Sequence, residues 1–301
     1  MSRYTVYLPL LLTLVGCGDP IKRVDLIEEP RVLAARSEVV GAPERSTPNP
    51  GETLRVTWLV AAPDGDQPTG FALAACSIPK FTRGVIECSE APFASDVSDA
   101  SGENPSFEFS VPADLDSEAQ PRLGVLGKLC PNGTGQIDVD RASCDGAELP
   151  VSLDMFLAGA ETTNLNPGIP SDAIALDGAE WAAASVTNGA CSGLGMTEVS
   201  LGAGQHQIQI ALPESTREAL LTHSSADAAR ESVRISHFVS AGELERPFSE
   251  ILPSDAAVTT SLSWKPPKTA APGGQLVRFW FVVRDLRGGA DFTERALCLL
   301  P

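Results

Sequence analysis

Histidine, tyrosine and methionine are nearly missing from this chain: three, two and three in 301 residues. His206, His223 and His237 share no His-x-His or i, i+4 spacing, which excludes the common helical and hairpin metal motifs. No Cys-x-x-Cys pair occurs, so zinc-ribbon and thioredoxin-like chemistry is excluded. Neither a Gly-x-Ser-x-Gly elbow, a Walker loop nor a dinucleotide glycine pattern is present. Basic residues are few, 22 Lys and Arg against 39 Asp and Glu, a net charge of −17. Such a surface repels nucleic acid and anionic headgroups, so no nucleic-acid partner is expected. These absences point away from an enzyme. They predict no cofactor, no metal and no catalytic residue.

What is present reads as strands and turns. Hydrophobic residues make up 43%, normal for a packed core and unlike a disordered chain. Glycine, proline, serine, threonine and valine dominate over helix formers. Leu54, Val56, Trp58 and Val60 alternate with Thr53, Arg55, Thr57 and Leu59, giving a strand with one buried face. The same pattern recurs at Phe107–Val111, His206–Leu212, Ser232–Val239 and Val258–Trp264. It is strongest at Gln275–Asp285, where Val277, Phe279, Phe281 and Val283 share a face. Further strands are expected at 30–40, 71–76, 122–130, 151–157, 173–176 and 292–300. Pro, Gly, Asp and Ser fill the connections, which means sandwiches or barrels. One helical turn is expected where Ser215-Thr216-Arg217-Glu218 forms a capping-box pattern. Asn132-Gly133-Thr134 is a formal sequon that reads better as a turn.

The polar stretch beginning Asn164-Leu165-Asn166-Pro167 divides the chain into strand sets at 30–163 and 164–301. Pro-Asn-Pro-Gly-Glu before the strand at 52–60 is echoed by Leu-Gly-Ala-Gly-Gln before 206–212. The fold class is therefore all-β, and the tandem resembles immunoglobulin-like or fibronectin-III-like β-sandwich domains. Those folds need about seven strands in about 100 residues. No Cys…Trp…Cys spacing of antibody domains accompanies the resemblance.

The N-terminus carries the other resemblance. Ser2-Arg3 is a short basic start, and Tyr4–Val15 is an apolar run of signal-peptide length, well under the ~20 residues of a spanning helix. Leu14-Val15-Gly16-Cys17 then resembles the lipobox of bacterial (Gram-negative) lipoproteins. The resemblance implies a signal peptide at 1–16, diacylglycerol and fatty-acyl attachment at Cys17, and a tether over 17–29. Several acyl chains at ~0.8 kcal/mol per buried methylene hold a protein on a bilayer. In that family an aspartate directly after the cysteine favours the inner membrane. Gly18 stands there instead, which leans towards the outer membrane and a membrane partner through the lipid.

The six remaining cysteines, Cys76, Cys88, Cys130, Cys144, Cys191 and Cys298, imply a disulfide framework with 15 possible pairings. Spacing favours local loops Cys76–Cys88 and Cys130–Cys144, leaving Cys191–Cys298. Two acidic pairs, Asp64 with Asp66 and Asp138 with Asp140, read as turn chemistry, with weak calcium binding as the alternative. Arg278, Trp280 and Arg284 share the other face of the strongest strand. They are either a binding face for an acidic partner or a sugar, or a covered sheet face. The expected function is non-enzymatic binding, scaffolding or display in the cell envelope. The alternatives are a carbohydrate-binding or adhesion module for a glycan or envelope protein, and a cryptic hydrolase or accessory subunit.

Overall fold

A computed structural model describes residues 23–301 apart from 66, 79–87, 89, 102–103, 116–121, 139–140, 159–162, 184–190 and 221–228. The protein is an all-β sandwich structure built from two face-to-face sheet pairs. The first contains β1 (Arg31–Val39), β2 (Thr53–Ala61), β3 (Thr69–Ile78), β4 (Ala94–Ser101), β5 (Ser106–Ser110) and β6 (Arg122–Pro131). It is completed by β7 (Gly135–Asp138), β8 (Arg141–Cys144) and β9 (Leu149–Phe156). One sheet runs β1-β2-β5 and the facing sheet β4-β3-β6-β9, the crossover order of an immunoglobulin-like Greek key. Leu54, Val56, Trp58 and Val60 point inward, as their alternation predicts, and meet Phe71, Leu73, Leu123 and Val125 from the facing sheet. The β7–β8 hairpin crosses β3 so closely that a Cβ on Gly135 would lie 1.8 Å from the Phe71 carbonyl oxygen. Only glycine permits that approach. Asn132 turns the chain into this hairpin with φ 53°, a left-handed position that asparagine tolerates.

The second pair contains β10 (Ile174–Leu176), β11 (Ala179–Glu180), β12 (Glu198–Ser200), β13 (His206–Ala211), β14 (Ala219–Leu220) and β15 (Ala229–Arg230). After these come β16 (Val233–Val239), β17 (Glu243–Leu244), β18 (Phe248–Ile251), β19 (Thr259–Lys265), β20 (Gln275–Arg284) and β21 (Ala290–Leu300). Its sheets run β11-β10-β13-β19-β17 and β12-β21-β20-β16-β18, with β12 parallel to β21. Trp181, Trp264, Phe279 and Phe281 fill the middle of this core, and Trp264 stands edge-on to Phe279 at 5.2 Å. The expected helical turn at 215–218 is a short 3₁₀ turn over Glu214–Thr216 with no side-chain cap, leading directly into β14. Arg217 is buried there and bonds Glu214 and two carbonyls, which holds the segment in place without a helix.

The two cores are not separated by solvent. On β20, Trp280 and Val282 face away from the second core and pack on Ile27, Leu33, Leu59 and Ala61. The outer face of β1–β2 thus lies on the outer face of the β20 sheet, and the four sheets stack in four layers. A polar seam fastens the same junction. Asn164 donates its side-chain amide to Ser46 Oγ at 2.9 Å and Asp285 Oδ2 at 2.6 Å, and its backbone N–H to Thr47 Oγ1 at 2.9 Å. Asn166 donates to the Ser37 carbonyl and accepts from the Ala290 N–H. Asn164 is the buried centre of this joint, and both its backbone groups are paired, the N–H with Thr47 Oγ1 and the C=O with Ser46.

Candidate functional site

Cys17, the anticipated acylation site, lies outside the described residues, as do His223, Asp66 and Asp140. The other six cysteines are all paired: Cys76–Cys88, Cys130–Cys144 and Cys191–Cys298, with Cα–Cα distances of 5.6, 5.5 and 5.5 Å. Cys76 and Cys130 stand on the outer side of the β3–β6 sheet. The third ties the segment before β12 to β21, buried at both ends.

The face carrying Arg278, Trp280 and Arg284 departs from an open binding surface. Trp280 is 1% exposed and Arg278 2%. Glu294 on the neighbouring strand accepts from Arg278 Nη1 at 2.6 Å and from Trp280 Nε1 at 3.1 Å. A guanidinium and an indole N–H can be buried because one carboxylate satisfies both. The covering layer is β1–β2. Trp264 is also fully buried, as are Trp58 and Trp181, so none of the four tryptophans forms a platform for a sugar ring.

The histidines divide between two structural settings. His237 is fully buried on the inward face of β16 and its Nδ1–H donates to the Arg246 carbonyl at 3.3 Å. Its Nε2 is buried with no hydrogen-bond partner. Burial pushes its pKa down from 6.5 to about 4, so the ring is neutral in the folded protein. The unfolded chain therefore takes up a proton below pH 6.5 that the native state refuses until about pH 4. The stabilisation is complete above pH 6.5 and is lost as pH falls through 4, amounting to about 3 kcal/mol. His237→Gln is expected to flatten the dependence of urea-unfolding free energy on pH across that window. An unchanged slope would show that other groups carry it. His206 differs: Nδ1 lies 2.6 Å from Asp177 Oδ2, and Nε2 is buried without a partner. The dyad closes the β10–β11 turn against β13, where Asp177 also accepts the Gln207 N–H.

Sequence reasoning missed a carboxylate cluster at the junction. Oxygens of Glu218, Glu231 and Asp285 lie within 4.8 Å of one another. Glu231 and Glu218 accept from Arg287 Nη1 at 3.1 and 3.4 Å. Asp285 accepts the N–H groups of Arg287 and Gly289 as well as the Asn164 amide. Burial, with the charges of Asp285 and Glu218, pushes the Glu231 carboxyl above its usual range. With protein donors on all three carboxylates, the cluster acts as a fastener between the turn after β20 and the β14–β15 segment. No spacing in the sequence joins residues 218, 231 and 285.

Two clefts remain. The larger, about 900 Å³, lies over the outer face of β3 and β6 beside the β7–β8 hairpin, with Lys128, Glu90 and Arg141 on its walls. Lys128 is already paired with Glu148 at 3.0 Å. The smaller, about 440 Å³, lies at the junction of the two sheet pairs. It is lined by Val32–Ala35 of β1, Pro150–Leu153 of β9, and Arg284, Leu286 and Gly288–Ala290 around the β20–β21 turn. No histidine lines either cleft. Volumes of this size suit small ligands. Of the three residues on the outer face of β20 singled out by sequence, Arg284 alone reaches a cleft wall.

Compared with known proteins, the chain matches no family model and no curated protein.

Proposed function

We propose that this protein is a lipid-anchored, non-enzymatic binding protein of a bacterial cell envelope, held on the outer membrane through Cys17. The observation that carries the reading is the pairing of cysteines. Six of the seven are consumed in three disulfides, and the odd one is Cys17, directly after an apolar run of signal length. Disulfides persist in oxidising compartments, and a single extra cysteine in that position supplies the thiol on which acyl chains are built. The expected tether over 17–29 is shorter than its sequence suggests, because Asp25 and Ile27 bond Val239 on β16 and Ile27 packs in the junction core. The acidic surface disfavours a nucleic-acid partner and suits a soluble envelope domain. The partner on this reading is a small envelope ligand or an envelope protein.

The test is metabolic labelling of the expressed protein with a clickable fatty acid, beside a Cys17→Ser variant. Label in the parent that disappears in the variant is the expected result. Equal label in both, or none in either, would remove the anchor from the proposal.

A further inference from the structure

Arg284 is the charged group of the junction cleft, and it has no countercharge among the described residues. Its Nη2 donates to the Leu33 carbonyl at 2.6 Å and its Nη1 to Ser236 Oγ at 3.3 Å. A guanidinium has five N–H donors, so most of its hydrogen-bonding capacity is unused. Neighbouring arginines are neutralised: buried Arg278 on the same sheet face by Glu294, and partly exposed Arg36 on the facing β1 by Glu38 and Asp291. Burial loosens the hold of Arg284 on its proton, and the repelling charge of Arg234 adds to that. In a chain with 39 acidic residues against 22 basic ones, a half-buried guanidinium facing a cleft without an acid stands apart.

Most of the other side chains on the cleft are apolar, Ser152 and the Gly288–Gly289 backbone being its further polar part. Val32, Ala35, Val151 and Leu153 form its walls and Leu286 its lip. Leu286 is 57% exposed and has φ 64°. A bulky residue in the left-handed region is costly and apolar exposure returns nothing in the free protein. Both costs make sense where an apolar body is received.

We propose that the cleft bounded by β1, β9 and the β20–β21 turn binds a small monocarboxylic acid with a hydrocarbon body, its carboxylate on Arg284 and its chain against Val32, Val151, Leu153 and Leu286. A planar guanidinium matches a carboxylate with paired hydrogen bonds, and the apolar walls contribute by removing hydrocarbon from water. This inference rests on the binding part of the function proposed above and not on the anchor, so the labelling test and the one below fail separately.

The experiment is calorimetric titration of the full chain carrying Cys17→Ser, which removes any acyl group of its own. The probes are sodium octanoate, octan-1-ol and octylamine, each below its aggregation limit. Saturable binding of octanoate is expected, at least about tenfold tighter than that of the alcohol or the amine. Arg284→Gln should weaken octanoate by at least about tenfold and leave the alcohol unchanged. Leu286→Asp, at the exposed lip, removes an apolar contact and sets a carboxylate at the mouth in a left-handed position that aspartate tolerates, so it should weaken octanoate by at least about tenfold. Should Arg284→Gln unfold through loss of its bond to Leu33, the probe ratio in the parent and the Leu286→Asp loss decide alone. Absence of saturable octanoate binding, equal affinity for octanol, or octanoate binding unchanged by Leu286→Asp would overturn the proposal.

Discussion

Replacing Cys191 and Cys298 together by serine is expected to lower stability by about 4–5 kcal/mol in the chain-entropy view of a disulfide closing about 100 residues. The bridge spans 107 positions, against 14 for Cys130–Cys144 and 12 for Cys76–Cys88, whose removal should cost about 3 kcal/mol each. Position adds to length. Cys191 and Cys298 are buried, and two serine hydroxyls put there would need hydrogen-bond partners. The bridge also sets the register of β12 beside β21, since Cys298 pairs with Glu198 in the parallel ladder. In scanning calorimetry the double variant should melt lower by about 10 °C or more at about 2–4 °C per kcal/mol. A drop no larger than that of Cys130→Ser with Cys144→Ser would show that the long loop does not dominate.

Trp280→Ala is expected to cost about 3–5 kcal/mol, the usual range for emptying a buried aromatic site. The side chain fills the layer between the two sheet pairs, against Ile27, Leu33, Leu59 and Ala61. Its loss also leaves Glu294, bonded to both Arg278 and the indole, with one donor fewer. Trp280→Phe keeps most of the apolar contact and loses the N–H, so it should cost less than half as much. Guanidinium titrations followed by circular dichroism separate the two variants. A cost below about 1 kcal/mol for alanine would mean that the layers collapse onto the space, against the rigidity of packed interiors.

How much of this was readable without coordinates depends on where each residue's partner sits. Strands with one face towards a core announced themselves by period-two alternation, because burial on one side writes itself into successive residues. β2, β5, β13, β16 and β20 stand where that pattern predicts. β4 carries the sequence ASDVSDAS and shows no such alternation. It is an edge strand, held by backbone bonds to β3, and side chains facing solvent leave no periodic mark. The β7–β8 hairpin was hidden for a similar reason: its place over β3 depends on glycine contacts and a disulfide. The three cysteine pairs were legible because two of them close short loops and leave a single remaining choice.

The sequence by itself determined the all-β class and the main strands, which rest on local order along the chain; it favoured one cysteine pairing among fifteen and carries the expectation of export and lipidation. Only the tertiary structure decided what lies on the second face of β20. Arg278 and Trp280 read equally well as an open surface or a covered one, because a guanidinium and an indole are tolerated in either place if a carboxylate is near. Glu294 supplies that carboxylate across the strand pair, and β1–β2 supply the cover. Arg284, one turn of the same alternation further on, receives no such partner. It lies at the end of the strand, where the two sheet pairs diverge into a cleft. Which side chains are neutralised there depends on contacts between residues about 250 positions apart, such as Arg284 with Leu33. No local pattern encodes such a contact.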